Sequence, residues 1–278
     1  MKKIWGIAWP PLLFLATQFI VTLVYVTASM LWAVLKLVIA GALSAAEIAE
    51  IQPEALQELV MTSVSLHAPV IISACVTFLV IFLNLKREWA AEGFWSFEKI
   101  NAPLVFLCVS LGVALNIFIT CVLAFIPAVA EYEQPFEELL GDNLVLMLFT
   151  LAVISPFLEE VIFRGLVQKR LSRMMYIPGA VILQAFIFGA IHLNLLQGAY
   201  AFVLGIIIGA VYFWHDSIWA PVIIHVAFNA TSVIISYIFD NAAGIEINGI
   251  VLIIITVATL AVSALSMGEL FRRKNNKI

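Results

Sequence analysis

The chain has 278 residues, of which 64% are hydrophobic and only 12% charged, with a formal charge of -4 and a mean hydropathy of +1.10. Its 14 Lys/Arg and 18 Asp/Glu are too few to cover a soluble domain of this size, which excludes a soluble enzyme and places residues 1–278 in a bilayer as a single integral membrane domain. The net negative charge argues against a nucleic-acid partner and leaves membrane lipid as the expected surroundings.

A hydrocarbon core about 30 Å thick takes roughly 20 residues per helix. On that ruler the chain offers apolar segments at 5–35, 59–85, 103–129, 143–168, 177–196, 198–214, 217–239 and 249–267. The expectation is an all-α polytopic bundle of about eight transmembrane helices. Lys2 and Lys3 precede the first segment, and no small-residue cleavage site follows it, so it reads as a retained span and not as a removed signal peptide. With Pro10 and Pro11 near its start and Lys36 near its end it exceeds a simple crossing, which predicts tilt, a kink or an interfacial part. Cys75, Cys108 and Cys121 lie inside apolar runs as small hydrophobes, so neither a disulfide framework nor a cysteine metal site is expected.

The loops sort by charge. Glu47, Glu50, Glu54 and Glu58 fall in 43–58, Glu131, Glu133, Glu137, Glu138 and Asp142 in 130–142, and Asp240 and Glu246 in 240–248. The alternate loops and the termini hold every Lys and Arg except Lys36 and Arg164. By the positive-inside rule both termini are cytoplasmic. Most of the Trp residues sit near span ends, as interfacial anchors do.

The fourth segment nevertheless reads Ser155-Pro-Phe-Leu-Glu159-Glu160-Val-Ile-Phe-Arg164. An ionisable side chain at the bilayer centre costs about 2.5–3.5 kcal/mol on insertion scales, so such groups are functional candidates. Glu160 and Arg164 are i, i+4 neighbours able to neutralise each other, whereas Glu159 points about 100° away and needs another partner. Pro156 cannot donate to Ala152, which loosens the backbone just before the pair. The fifth segment contributes Phe188 and His192, and the seventh His225 and Asn229, each pair spaced to share a helix face. His67 in the second segment reads as a helix-to-helix hydrogen bond, and Gly205 with Gly209 as a packing face inside the bundle.

Depth groups these residues. If the fourth and fifth helices turn near Tyr176, Glu159 and His192 are nearly equidistant from that turn. A membrane boundary at Gln168 then puts Glu159 about 13 Å deep, and His225 lies about 12 Å beyond Ser217. Glu159, His192, His225 and Asn229 therefore fall in one layer reachable from the cytoplasm. A carboxylate beside an imidazole in a poorly solvated pocket can hold and deprotonate water, and an imidazole with a carboxamide can donate to an oxyanion. That implies water attack on an amide bond without an acyl-enzyme. Two His and a Glu can also bind Zn²⁺, but HExxH is absent and a zinc-bound Glu would leave no base, so no metal and no cofactor are expected. GxSxG and SxxK are likewise absent around the intramembrane serines.

Glu159-Glu160-x-x-x-Arg164, Phe188-x-x-x-His192 and His225-x-x-x-Asn229, in this order on successive spans, resemble the three motifs of the CAAX protease and bacteriocin-processing family, also called Abi or CPBP. The resemblance covers a motif core at about 143–240. It implies an intramembrane glutamic endopeptidase in which Glu159 and His192 activate water and His225 and Asn229 stabilise the oxyanion. Glu160, Arg164 and Phe188 are supporting residues. It implies a peptide or protein substrate entering from the cytoplasmic side, prenylated or not, and the compact length resembles bacterial members, hence a bacterial cell membrane. Neither substrate identity nor oligomeric state follows from these motifs. The competing classes are a non-catalytic scaffold or bacteriocin self-immunity protein that retains the pocket, and a transporter using Glu159 as proton carrier. The latter lacks the paired broken helices such folds carry.

Overall fold

The computed structural model describes residues 2–39, 52, 65–92, 97–126, 143–241 and 247–274. Most of the acidic segments 43–58, 130–142 and 240–248, the first part of the segment at 59–85 and Lys277 lie outside them. The described residues form eight helices and no strand: α1 (Lys2–Ile39), α2 (His67–Glu92), α3 (Ala102–Leu123), α4 (Leu144–Ser172), α5 (Ile177–Ala190), α6 (Leu195–His215), α7 (Trp219–Asn241) and α8 (Gly249–Arg272). All but α5 are long and apolar enough to cross a membrane.

Helix starts follow the local sequence. Asn101, Asn143, Asn194 and Asn248 cap α3, α4, α6 and α8, each side chain accepting a backbone N–H of the first turn. Pro103 and Pro178 stand in the first turns of α3 and α5, where no intrahelical donor is lost. α1 runs through Pro10 and Pro11 as one helix of 38 residues. Pro10 cannot donate to the Gly6 carbonyl, and that oxygen instead accepts from Arg170 Nη1, which fastens α1 to the end of α4.

α4 sits at the centre, touching α1, α2, α5, α6 and α7. One core joins Ile7 and Phe14 of α1, Ile81 of α2, Leu158 to Leu171 of α4, and Phe188 of α5. A second joins α3, α6, α7 and α8 through Leu111, Ile208, Ile224 and Leu270. His67 bonds Thr150 Oγ1 at 2.8 Å, linking α2 to α4. Gly205 and Gly209 face α5: a Cβ at 205 would stand 3.0 Å from Ala185, and one at 209 would stand 3.2 Å from Val181. That Gly pair packs inside the chain. All three cysteines are free, with Cys108 and Cys121 buried.

The fifth apolar segment ends earlier than hydropathy alone suggests. α5 has 14 residues, about 21 Å of helix, which is less than a hydrocarbon core. Its last bonds tighten, His192 N to Gly189 O and Leu193 N to Ala190 O, and Leu193 takes a left-handed φ of 54°. The Asn194 cap then starts α6. His192 thus occupies the apex turn of the α5–α6 hairpin and not the middle of a helix.

Candidate active site

α4 is not a uniform α-helix. Leu148–Ile154 and Val161–Gln168 are wound as π-helix, and the α-helical turn Ser155–Glu160 between them carries the two carboxylates. Such wide turns are rare in proteins and concentrate at functional sites. Ser155 donates to Thr150, five residues back. In that register the donor missing at Pro156 is owed to Leu151, where simple α-helical spacing assigned the loss to Ala152. The Leu151 carbonyl is satisfied from across the bundle, accepting from Asn229 Nδ2 of α7 at 3.0 Å.

The adjacent carboxylates diverge as the helical spacing requires. Glu160 points inward and is fully buried, with Arg164 Nε 3.0 Å from its Oε2, the ion pair expected of i, i+4 neighbours. Its other oxygen accepts from His225 Nδ1 at 2.7 Å. Glu159 keeps 13% of its side chain exposed, and its Oε2 lies 3.9 Å from His225 Nε2. His225 therefore stands between the two carboxylates, hydrogen-bonded to the buried one and close to the open one. His192 stands beside His225 across the Phe188 ring, which meets both imidazoles.

Both imidazoles are oriented through Nδ1. His192 Nδ1 lies 2.8 Å from the Phe188 carbonyl, an acceptor only, so it carries a proton there and leaves Nε2 with a lone pair when neutral. His225 Nδ1 is held in the same way by Glu160. Phe188 fixes the rings as well as the backbone. It is fully buried, meets His192 and His225 edge-on at 5.1 and 5.7 Å, and lies under the Arg164 guanidinium at 4.8 Å.

The residues predicted from sequence thus divide. Glu159, Glu160, Arg164, Phe188, His192 and His225 meet in one cluster built from α4, α5 and α7. Asn229 lies one turn beyond His225 on α7, engaged with the bend of α4. Among the described residues no three His, Cys, Asp or Glu side chains are grouped as a metal would require. Sequence reading missed Gln168 and Gln184, both buried and both against Gly209 of α6. Their signal is the rule applied to the glutamates, that a polar side chain within an apolar span is worth explaining.

Residues 141–231 match the family model described as Type II CAAX prenyl endopeptidase Rce1-like. The matched stretch takes in α4, α5, α6 and the first half of α7, and includes every residue of the cluster and Asn229. The resemblance carried by the three motifs is borne out over that stretch. With the fold, this describes a multi-pass membrane protein in which residues 141–231 are similar to CAAX-type prenyl endopeptidases, a likeness that at family level suggests a peptidase. No curated protein and no solved structure matches the chain.

Proposed function

We propose that the protein is an intramembrane glutamic endopeptidase in which Glu159 activates water for attack on a peptide carbonyl. The observation that carries this reading is the 3.9 Å gap between Glu159 Oε2 and His225 Nε2. It is too wide for a direct hydrogen bond and narrow enough for one water oxygen to reach both atoms. Glu159 is the partly open carboxylate, whereas Glu160 is enclosed and engaged by Arg164 and His225.

In this mechanism Glu159 takes a proton from water, with His192 Nε2 helping to orient that water. As the C–O bond forms, the carbonyl oxygen gains charge and takes over from the attacking water the Nε2–H of His225, whose Nδ1–H stays on Glu160. Asn229 Nδ2 has two hydrogens; one is held by the Leu151 carbonyl, and the second serves the oxyanion. Glu159 then passes its proton to the departing amine nitrogen as the C–N bond breaks. Preorganised donors of this kind supply the largest share of acyl-transfer catalysis.

The substrate class follows from the family resemblance: a peptide or protein C-terminal segment presented at the membrane from the cytoplasmic side, with or without a prenyl group. The test is cleavage of a quenched fluorescent peptide library, farnesylated and unmodified, by the detergent-purified protein with chelator present. The expected result is cleavage that survives chelation. Loss of cleavage on chelation transfers the reaction to a metal, and a preference between the two libraries assigns the prenyl requirement.

A further inference from the structure

We propose that Gln168, Gln184 and Gly209 hold internal water and that, with the Arg164 guanidinium, they form a hydrated polar column leading from the basic end of α4 to the Glu160–His225 pair. Its role as the route by which hydrolytic water reaches Glu159 rests on the peptidase reading; the water site itself does not.

The geometry points there through polar atoms left without partners. Arg164, Gln168 and Gln184 are 0%, 2% and 0% exposed. Among the described residues neither Nη1 nor Nη2 of Arg164, nor Gln168 Oε1, nor either polar atom of the Gln184 carboxamide has a hydrogen-bond partner. Each such atom costs roughly 1–3 kcal/mol when buried dry, so a group of them in one place calls for water. Gln168 Nε2 donates to the Gly209 carbonyl at 2.8 Å, which fixes that carboxamide with its oxygen turned toward the α5–α6 interface. A Cβ on Gly209 would stand 2.9 Å from Gln168 Oε1 and 3.1 Å from Gln184 Oε1, so both carboxamide oxygens close on the bare Cα of Gly209 and lie side by side there. Two oxygens cannot satisfy each other, whereas one water donates to both.

The column has direction. Glu160, Arg164 and Gln168 succeed one another at four-residue steps along α4, and on α5 Gln184 stands one such step before Phe188, which meets both imidazoles. One end therefore reaches the catalytic cluster. At the other, the next four-residue step is Ser172, which is partly exposed and donates to the Gln168 carbonyl at 2.9 Å, so the column opens at the basic end of α4. A hydrolase whose base lies within a bilayer consumes one water per turnover, and the lipid face supplies none.

The test is hydroxyl-radical footprinting of the full-length protein in nanodiscs, because radicals generated from bound water label the side chains beside it. Val181, at 7% exposure and against Gly209, is compared with Val70 and Val222, both at 6%. Val181 is expected to label severalfold faster than the other two valines, and Gln184→Met, which keeps the side-chain length, is expected to abolish that excess. The same variant should unfold at the wild-type temperature, with kcat lowered about tenfold, the scale on which orienting partners act, and KM unchanged. Equal labelling of the three valines, or a direct Gln184–Gln168 hydrogen bond with no water in a high-resolution map, would overturn the water site. Full turnover by Gln184→Met would overturn the route. A wild type that labels at Val181 but cleaves no peptide would uphold the site and remove the peptidase reading instead.

Discussion

Helices α1 and α4 are almost equally apolar, with mean hydropathies of 1.9 and 2.0 across their most apolar stretches, yet 6% of that stretch is buried in the first and 39% in the second. Both contain proline within the helix, and both have a proline-freed carbonyl taken up by another helix's side chain, Gly6 by Arg170 and Leu151 by Asn229. They differ in the backbone beyond the proline. α1 continues as regular helix with apolar side chains toward the lipid, whereas α4 widens to π-helix on both sides of Glu159 and Glu160 and meets α5 and α7 around them. Hydropathy thus locates both spans, and only α4 has the buried charge and irregular backbone that chemistry requires.

If that contrast is right, the most damaging changes to the fold are those that strand a charge in α4. Arg164→Met leaves Glu160 as a buried carboxylate with one partner removed, and should destabilise the protein by about 3–5 kcal/mol in a thermal melt. An unchanged melting temperature would mean that Glu160 is not charged in the folded state. Backbone contact comes next. A methyl on Gly189 would lie 2.5 Å from the Gly198 carbonyl at the α5–α6 crossing, so Gly189→Ala should cost about 1–3 kcal/mol in the same melt by overpacking.

The hydrogen bond at the bend is smaller and more specific. Asn229→Ala should cost about 1 kcal/mol, the scale of polar contacts between membrane helices. In a Pro156→Ala background most of that cost should vanish, because the restored N–H can serve the Leu151 carbonyl. Additive losses in the double-mutant cycle would show that Asn229 stabilises by another route. The smallest effect has the opposite sign. Gly268 of α8 has nothing within 4 Å of where a Cβ would stand, so Gly268→Ala should stabilise by about 0.5–1 kcal/mol through helix propensity alone.

How far sequence reaches is visible in these same residues. The spans are legible because lipid imposes a length and a polarity on every crossing, and Glu160, Arg164, His192 and His225 are legible because charge and imidazole are rare there. The bland readings of His67 and of the Gly205–Gly209 pair also agree with their contacts, a bond to Thr150 and packing on α5. Less legible is anything that depends on register. Nothing in Leu148–Ile154 announces a π-helix, so the carbonyl freed by Pro156 is assigned one residue off and Asn229's partner stays hidden. The end of α5 at Ala190 is hidden too, since the apolar run continues past it and only Asn194 marks a new cap. Nor does spacing distinguish which carboxylate holds His225, because that choice is made by the packing of α7 against α4.

In the proposed mechanism the open carboxylate does the chemistry while the enclosed one holds its surroundings in place. The most direct measurement of that division is the single-turnover cleavage rate of Glu159→Gln against wild type, on the same peptide and with chelator present. The expected rate is at least about 100-fold lower, the contribution of a general base, in a protein that melts at the wild-type temperature. Cleavage at the wild-type rate by a folded Glu159→Gln protein would contradict it.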